Sequence, residues 1–139
     1  MTDSRMFPKL VGVHPDLVFA VGRILAAMDI LGHPMIVTDG VRSTAQQLAL
    51  YAKGRTAPGP IVTQADGLRV RSNHQVKGDG FGYAVDMTFL VHGAPVWLET
   101  SPWRLYGEMA RALGLSWGGV WSRPDKPHIE LPERQRGPQ

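Results

Sequence analysis

The chain has 139 residues, with 43% hydrophobic and 19% charged residues. These values favour one globular domain over a disordered chain, and no apolar run approaches the ~20 residues that span a bilayer. Cysteine is absent, which removes disulfides, thiolate metal sites and cysteine nucleophiles. The formal charge of +3 and a pI of about 9.6 favour anionic partners, but the cations are scattered and form no basic helix or basic-aromatic array, so nucleic-acid binding is not expected.

In chain order, the first predicted element is a helix over Asp16 to Leu31. Leu17, Val21, Ile24, Leu25, Met28 and Leu31 recur at three and four, and Gly32 stands where a left-handed residue ends a helix. MIVT, Met35 to Thr38, reads as a short buried strand. Ser43 caps a second helix, TAQQLALYAK, closed by Gly54. From Gly54 to Gly82 periodicity fails, and only IVT, Ile61 to Thr63, offers a strand fragment; structureless segments of this length are commonly functional. Ala84 to Leu90 is a strand with Ala84, Asp86 and Thr88 on one face and Val85, Met87 and Phe89 on the other.

Ser101-Pro102 marks a third helix start, with Trp103, Tyr106, Ala110 and Leu113 as its stripe and Gly114 as its stop. Leu115 to Gly118 and His128 to Leu131 are further strand candidates, joined by a turn containing SRPDKP. His92 reads as a turn residue in VHGAP. The expected architecture is α+β: a small, mostly antiparallel sheet with about three helices, one domain over 1–131 and a polar tail over 132–139.

Five histidines supply the imidazoles. His74 lies in the glycine-rich run SNHQVKGDGFGYAVDM, Asp86 on the strand that follows, and His128 at the start of the last strand. Two imidazoles and one carboxylate suit zinc with one coordination position left open. Asp79 in the flexible turn competes with Asp86 as the carboxylate ligand. Asp125, three residues before His128 in D-K-P-H, is placed to accept and return a proton, with Glu130 as the competing base. His14, His33 and His92 have no carboxylate at meaningful spacing.

The runs SNHQ, GYAVDM, WGGVW and DKPHIEL together resemble the zinc peptidases that cut peptidoglycan stem peptides, a family of D-alanyl-D-alanine carboxypeptidases and L-alanyl-D-glutamate endopeptidases. The stretch Asp39 to Thr63 is similar to the endopeptidase branch found among phage endolysins. The resemblance implies one zinc ion per chain on His74, Asp86 and His128, and Asp125 as the proton-transfer group. It also implies Arg42 as oxyanion stabiliser or substrate-carboxylate binder. From the residues themselves, Ser72, two before His74, is placed to hydrogen-bond a ligand or the substrate, and Trp117 and Trp121 either wall the cleft as substrate contacts or pack in the core. Eleven residues separate His74 from Asp86, where many relatives have six, and the extra glycine-rich material loops out.

The expected function is therefore zinc-dependent cleavage of the L-alanyl-D-glutamate bond, in the manner of an endolysin. The expected enzyme is a monomer without membrane insertion, made in the cytoplasm without a signal peptide and acting on the wall after release. A D-alanyl-D-alanine carboxypeptidase of the same fold, and a zinc-containing wall-binding module without catalysis, are the alternatives.

Overall fold

The computed structural model describes residues 3–133. Helix α1, Pro15–Ile30, buries Leu17, Val21, Ile24, Leu25 and Met28 of the stripe read from sequence, together with Ala20, while Leu31 lies past the helix end and is exposed. The His14 ring caps it, Nδ1 accepting from the Asp16 amide at 3.1 Å. Strand β1, Met35–Asp39, leads through a short turn to α2, Thr44–Ala52. That helix starts on a capping box, in which Ser43 Oγ accepts from Gln46 N and Gln46 Oε1 accepts from Ser43 N. Strand β2, Ala84–Val91, is followed by β3, Ala94–Val96, by α3, Trp103–Ala112, by β4, Ser116–Trp117, and by β5, His128–Glu130.

All pairings between these strands are antiparallel, with β2 at the centre. β1 runs along one edge of β2, while β5 pairs with Ala84 to Asp86 and β3 with Phe89 to Val91. β4 lies outside β5. Val85, Met87, Phe89 and Ile129 point into a core completed by α1, α3, Leu10, Val13, Met35 and Val37. Each such side chain contributes roughly 1.5–3 kcal/mol by leaving water, so a one-residue slip of β2 is strongly opposed. This register carries the functional consequence. The same alternation that buries Val85 and Met87 turns Asp86 to the opposite face, where the cleft lies.

Beyond one-residue shifts at other element ends, three features differ from the sequence reading. β3 was not expected; His92 and Gly93, at φ 53° and 77°, form the two-residue turn of a hairpin whose partner strand contains a proline. The third helix begins at Trp103 with no side-chain cap, and Ser101 acts through its carbonyl, which accepts from Trp103 N at 2.7 Å. Ile61 to Thr63 is not a strand. The helix stops at Gly32, Gly54 and Gly114 all have positive φ, as expected. The tail expected from 132 begins with a buried Pro132, and from 134 onward it lies outside the described residues. No helix among the described residues is long and apolar enough to cross a membrane.

Candidate metal centre

His74, Asp86 and His128 converge, each offering a ligand atom within 4.8 Å of the other two. Asp86 sits directly opposite His128 in the β2–β5 ladder, so backbone pairing sets that approach. His74 comes from the long loop, which is stitched against the sheet: Tyr83 N donates to Asn73 O at 2.7 Å and Arg42 N to His74 O at 2.8 Å. Ser72 Oγ accepts from His74 N at 3.1 Å, closing the turn that presents the ring. The loop's remote part is anchored by Asp66, whose Oδ1 accepts from the amides of Leu68, Arg69 and Val70.

The ring orientations follow from their outer partners. His74 Nδ1 lies 2.9 Å from the Gly40 carbonyl, which can only accept, so Nδ1 carries the proton and Nε2 faces the centre with its lone pair. His128 Nε2 lies 2.7 Å from Glu130 Oε1, which leaves Nδ1 facing the centre. Glu130 is itself held, its Oε2 accepting from Asn73 Nδ2 at 2.9 Å. A carboxylate behind a ligand histidine fixes its tautomer and raises its basicity.

The fit to a metal ion can be tested on these atoms. Tetrahedral zinc with bonds of about 2.0–2.1 Å needs ligand atoms roughly 3.3–3.4 Å apart. His74 Nε2 and His128 Nδ1 are 3.3 Å apart, His74 Nε2 and Asp86 Oδ2 are 3.5 Å apart, and His128 Nδ1 and Asp86 Oδ1 are 3.4 Å apart. Asp86 Oδ1 is buried without any hydrogen-bond partner, an arrangement that costs about 1–3 kcal/mol unless a cation satisfies it. Nitrogen and oxygen donors at this spacing, with an orphaned carboxylate oxygen among them, fit a zinc ion.

The electrostatics agree. Burial alone would raise the Asp86 carboxyl, but the His128 and His74 rings outweigh it and hold Asp86 well below the usual carboxylate range. Burial alone would lower His128, yet Asp86 and Glu130 push it up to about 9. The carboxylates around His128 thus favour positive charge at this position. Asp125 is half-exposed beside the centre, its Oδ2 3.8 Å from His128 Nδ1. Partial burial, and next the Asp86 charge, raise its pKa above the ordinary value, which suits a group that must both take and give a proton.

The loop carrying Asp125 is pinned from three directions. Asp125 N donates to Gly118 O at 2.8 Å, Trp117 Nε1 to Lys126 O at 2.7 Å, and Tyr106 Oη to Pro127 O at 2.7 Å. Gly118 permits the approach: a Cβ there would fall 2.4 Å from Asp125 O and 3.1 Å from His128 Cβ.

The centre opens into a cleft of about 650 Å³, lined by Arg42, Ser72, Trp121 and Asp125 near the candidate ligands and by Leu50 and Ile61 to Gln64 farther out. Among the sequence-predicted residues, Trp117 is the one the structure moves elsewhere. It is buried, its indole committed to Lys126, and Trp121 instead stands on the wall with its ring 4.8 Å from that of His128. Arg42 lines the cleft with its guanidinium engaged: Nε donates to Asp39 Oδ2 at 2.6 Å, Nη1 to Gln47 Oε1 at 3.1 Å and Nη2 to Asp86 Oδ2 at 3.3 Å. The β1 bulge brings Asp39 opposite Asp86, and Arg42 neutralises the resulting pair.

Of the competing residues, Asp79 stays away from the centre and accepts from Tyr83 Oη and Phe81 N. Glu130 backs His128. Gln47 is scaffold: fully buried, its Oε1 accepts from Arg42 Nη1 and its Nε2 donates to the Ala65 carbonyl at 2.9 Å. Asn73 was missed. Its only sequence signal was adjacency to His74.

These features make up a donor set that could hold a metal ion beside a carboxylate placed for proton transfer, in a fold that known proteins share. A family model described as D-alanyl-D-alanine carboxypeptidase, of peptidase family M15, matches residues 65–131, the span holding all three candidate ligands and Asp125. The peptidoglycan L-alanyl-D-glutamate endopeptidase CwlK of Bacillus subtilis (strain 168) is 33% identical over 129 residues, covering 86% of this chain and 73% of CwlK. The crystal structure of the Serratia marcescens L-Ala D-Glu endopeptidase ChiX superposes with a TM-score of 0.65 at 28% identity, over 96% of this chain and 90% of that one. The vancomycin-resistance D,D-pentapeptidase VanY, solved with Zn(II), shares the fold at a TM-score of 0.56 and 18% identity, over 86% and 72% of the two chains. The chain belongs to the peptidase M15 family of zinc peptidoglycan peptidases.

Proposed function

We propose that this protein is a zinc-dependent endopeptidase cleaving the L-alanyl-D-glutamate bond of peptidoglycan stem peptides. The observation that carries the reading is the triangle of His74, Asp86 and His128 with its orphaned carboxylate oxygen, open to a cleft beside a proton-accepting Asp125. The choice of bond is supported by the likeness to CwlK and ChiX, both named for it. A role as a phage or prophage endolysin is part of the proposal and is supported by the resemblance of Asp39 to Thr63 to that branch.

His74 Nε2, Asp86 and His128 Nδ1 would hold the ion. When bound, zinc supplies Lewis acidity that polarises the scissile carbonyl and acidifies water. Asp125 takes the proton released by the attacking water and delivers it to the departing amine nitrogen. Its raised pKa makes it a stronger acceptor for the proton released by water. Glu130 holds the His128 ring in its ligating tautomer. Arg42 keeps the Asp86 carboxylate aimed at the centre, and Trp121 and the 61–64 wall shield the reacting group from bulk water.

The test is digestion of purified peptidoglycan by zinc-loaded protein, with fragments weighed and their new N-termini sequenced. New N-terminal glutamate is the expected result, and its absence refutes the assignment. A D-alanyl-D-alanine carboxypeptidase is the second reading, favoured by the family description. It predicts release of terminal alanine alone.

A further inference from the structure

The cleft near the candidate metal centre carries Asp86, Asp125 and Glu130 on its walls, with Arg42 and Arg123 as the arginine or lysine side chains among its described lining residues. Arg42 is occupied, its guanidinium shared among Asp39, Gln47 and Asp86. Arg123 is exposed and has no hydrogen-bond or ion-pair partner among the described residues. It also stands in a defined place. Arg123 lies two residues before Asp125 in the irregular segment ahead of β5, and both line the cleft. Asp125 N is tied to Gly118 O at 2.8 Å, two residues along the chain from Arg123.

The substrate chemistry asks for such a cation. A glutamate joined onward through one carboxyl keeps the other as a carboxylate, close to the amide nitrogen that leaves. Asp86 is committed to the metal centre and Arg42, and Glu130 to His128. Asp125 is therefore the carboxylate this group meets, and Arg123 is the uncommitted cation among the described lining residues that can receive it. We infer that Arg123 is a specificity-determining residue, binding the carboxylate of the substrate residue that supplies the leaving nitrogen. This rests on the function proposed above. A fork of two parallel N–H donors matches a carboxylate in a way a lysine ammonium does not.

The experiment uses zinc-loaded protein and two synthetic stem peptides, identical except that this carboxylate is free in one and amidated in the other. Wild type should favour the free form by roughly tenfold in kcat/KM, the size expected of a charge-assisted hydrogen bond at a partly solvated site. Arg123→Gln should raise KM about tenfold for the free peptide, leave the amidated peptide unchanged, and hold kcat within about twofold. Arg123→Lys should recover part of the loss. Equal effects on both peptides, or none on either, overturn the inference.

Calorimetric binding of the amine-side product, free and amidated, separates the two levels of the argument because it needs no turnover. Discrimination by wild type that vanishes in Arg123→Gln supports the inference even if neither peptide is cut, in which case only the bond assignment fails. Absence of discrimination overturns it whatever the cleavage result.

Discussion

Replacing Glu130 by alanine separates metal holding from proton transfer. In the structure Glu130 Oε1 sits 2.7 Å from His128 Nε2, the two side chains being 13% and 8% exposed, and Asn73 braces the other carboxylate oxygen at 2.9 Å. Removing such a buried carboxylate frees the ring to rotate and lowers its basicity. Losses of this kind weaken metal binding about 10- to 100-fold, or roughly 1.4–2.7 kcal/mol. Chelator-competition titration should therefore show a zinc Kd raised by at least tenfold, while kcat measured at saturating zinc stays within a few-fold of wild type. Glu130→Gln keeps an oxygen acceptor without the charge and should fall between. The result that refutes the reasoning is unchanged zinc affinity with kcat collapsed at saturating zinc. Glu130 would then be the proton-transfer group and Asp125 would not.

Asp125→Asn should lower kcat by roughly 10²- to 10⁴-fold, the usual worth of a positioned base, while metal analysis still finds about one zinc per chain. The metal-free protein should lose stability as pH rises. The His128 pKa is raised from 6.5 to about 9, so its contribution is full below pH 6.5 and disappears as pH passes about 9, on the order of a few kcal/mol. Thermal melts across that window should fall more steeply without zinc than with it, and apparent zinc affinity should climb over the same range as the competing proton leaves. Gly118→Ala must push the Asp125 carbonyl away from a contact of 2.4 Å; a lowered kcat, with zinc content near one per chain, is expected. Wild-type kcat in that variant would show that the loop position is immaterial to proton transfer.

Much of the centre was legible in the one-dimensional pattern. His74, Asp86, Asp125 and His128 were visible as residue types in distinctive local runs, and alternation along 84–90 placed Asp86 opposite the core side chains before any fold was known. The helix ends were likewise local, because caps and left-handed stops act within a turn. Other features were hidden because they are long-range. Trp117 and Trp121 differ by four residues and share a motif, yet one fills the core and the other walls the cleft, because Gly107 on α3 and Gly119 leave room for the Trp117 ring. The roles of Glu130 and Asn73 depend on a contact across 57 residues. The hairpin to β3 carried a proline and a histidine in its turn region, which masks strand pattern.

What the amino-acid order determined by itself is the donor chemistry and the face of β2 from which the carboxylate projects, since both follow from side-chain identity and the two-residue period of a strand. What only the folded chain decided is which partners stand behind each donor. Arg42 is drawn onto Asp86 by the β1 bulge, Glu130 is set behind His128 by the β5 pleat, and Asp79 is drawn off to Tyr83. Those choices rest on strand register and burial across the sheet, which no short window of residues contains.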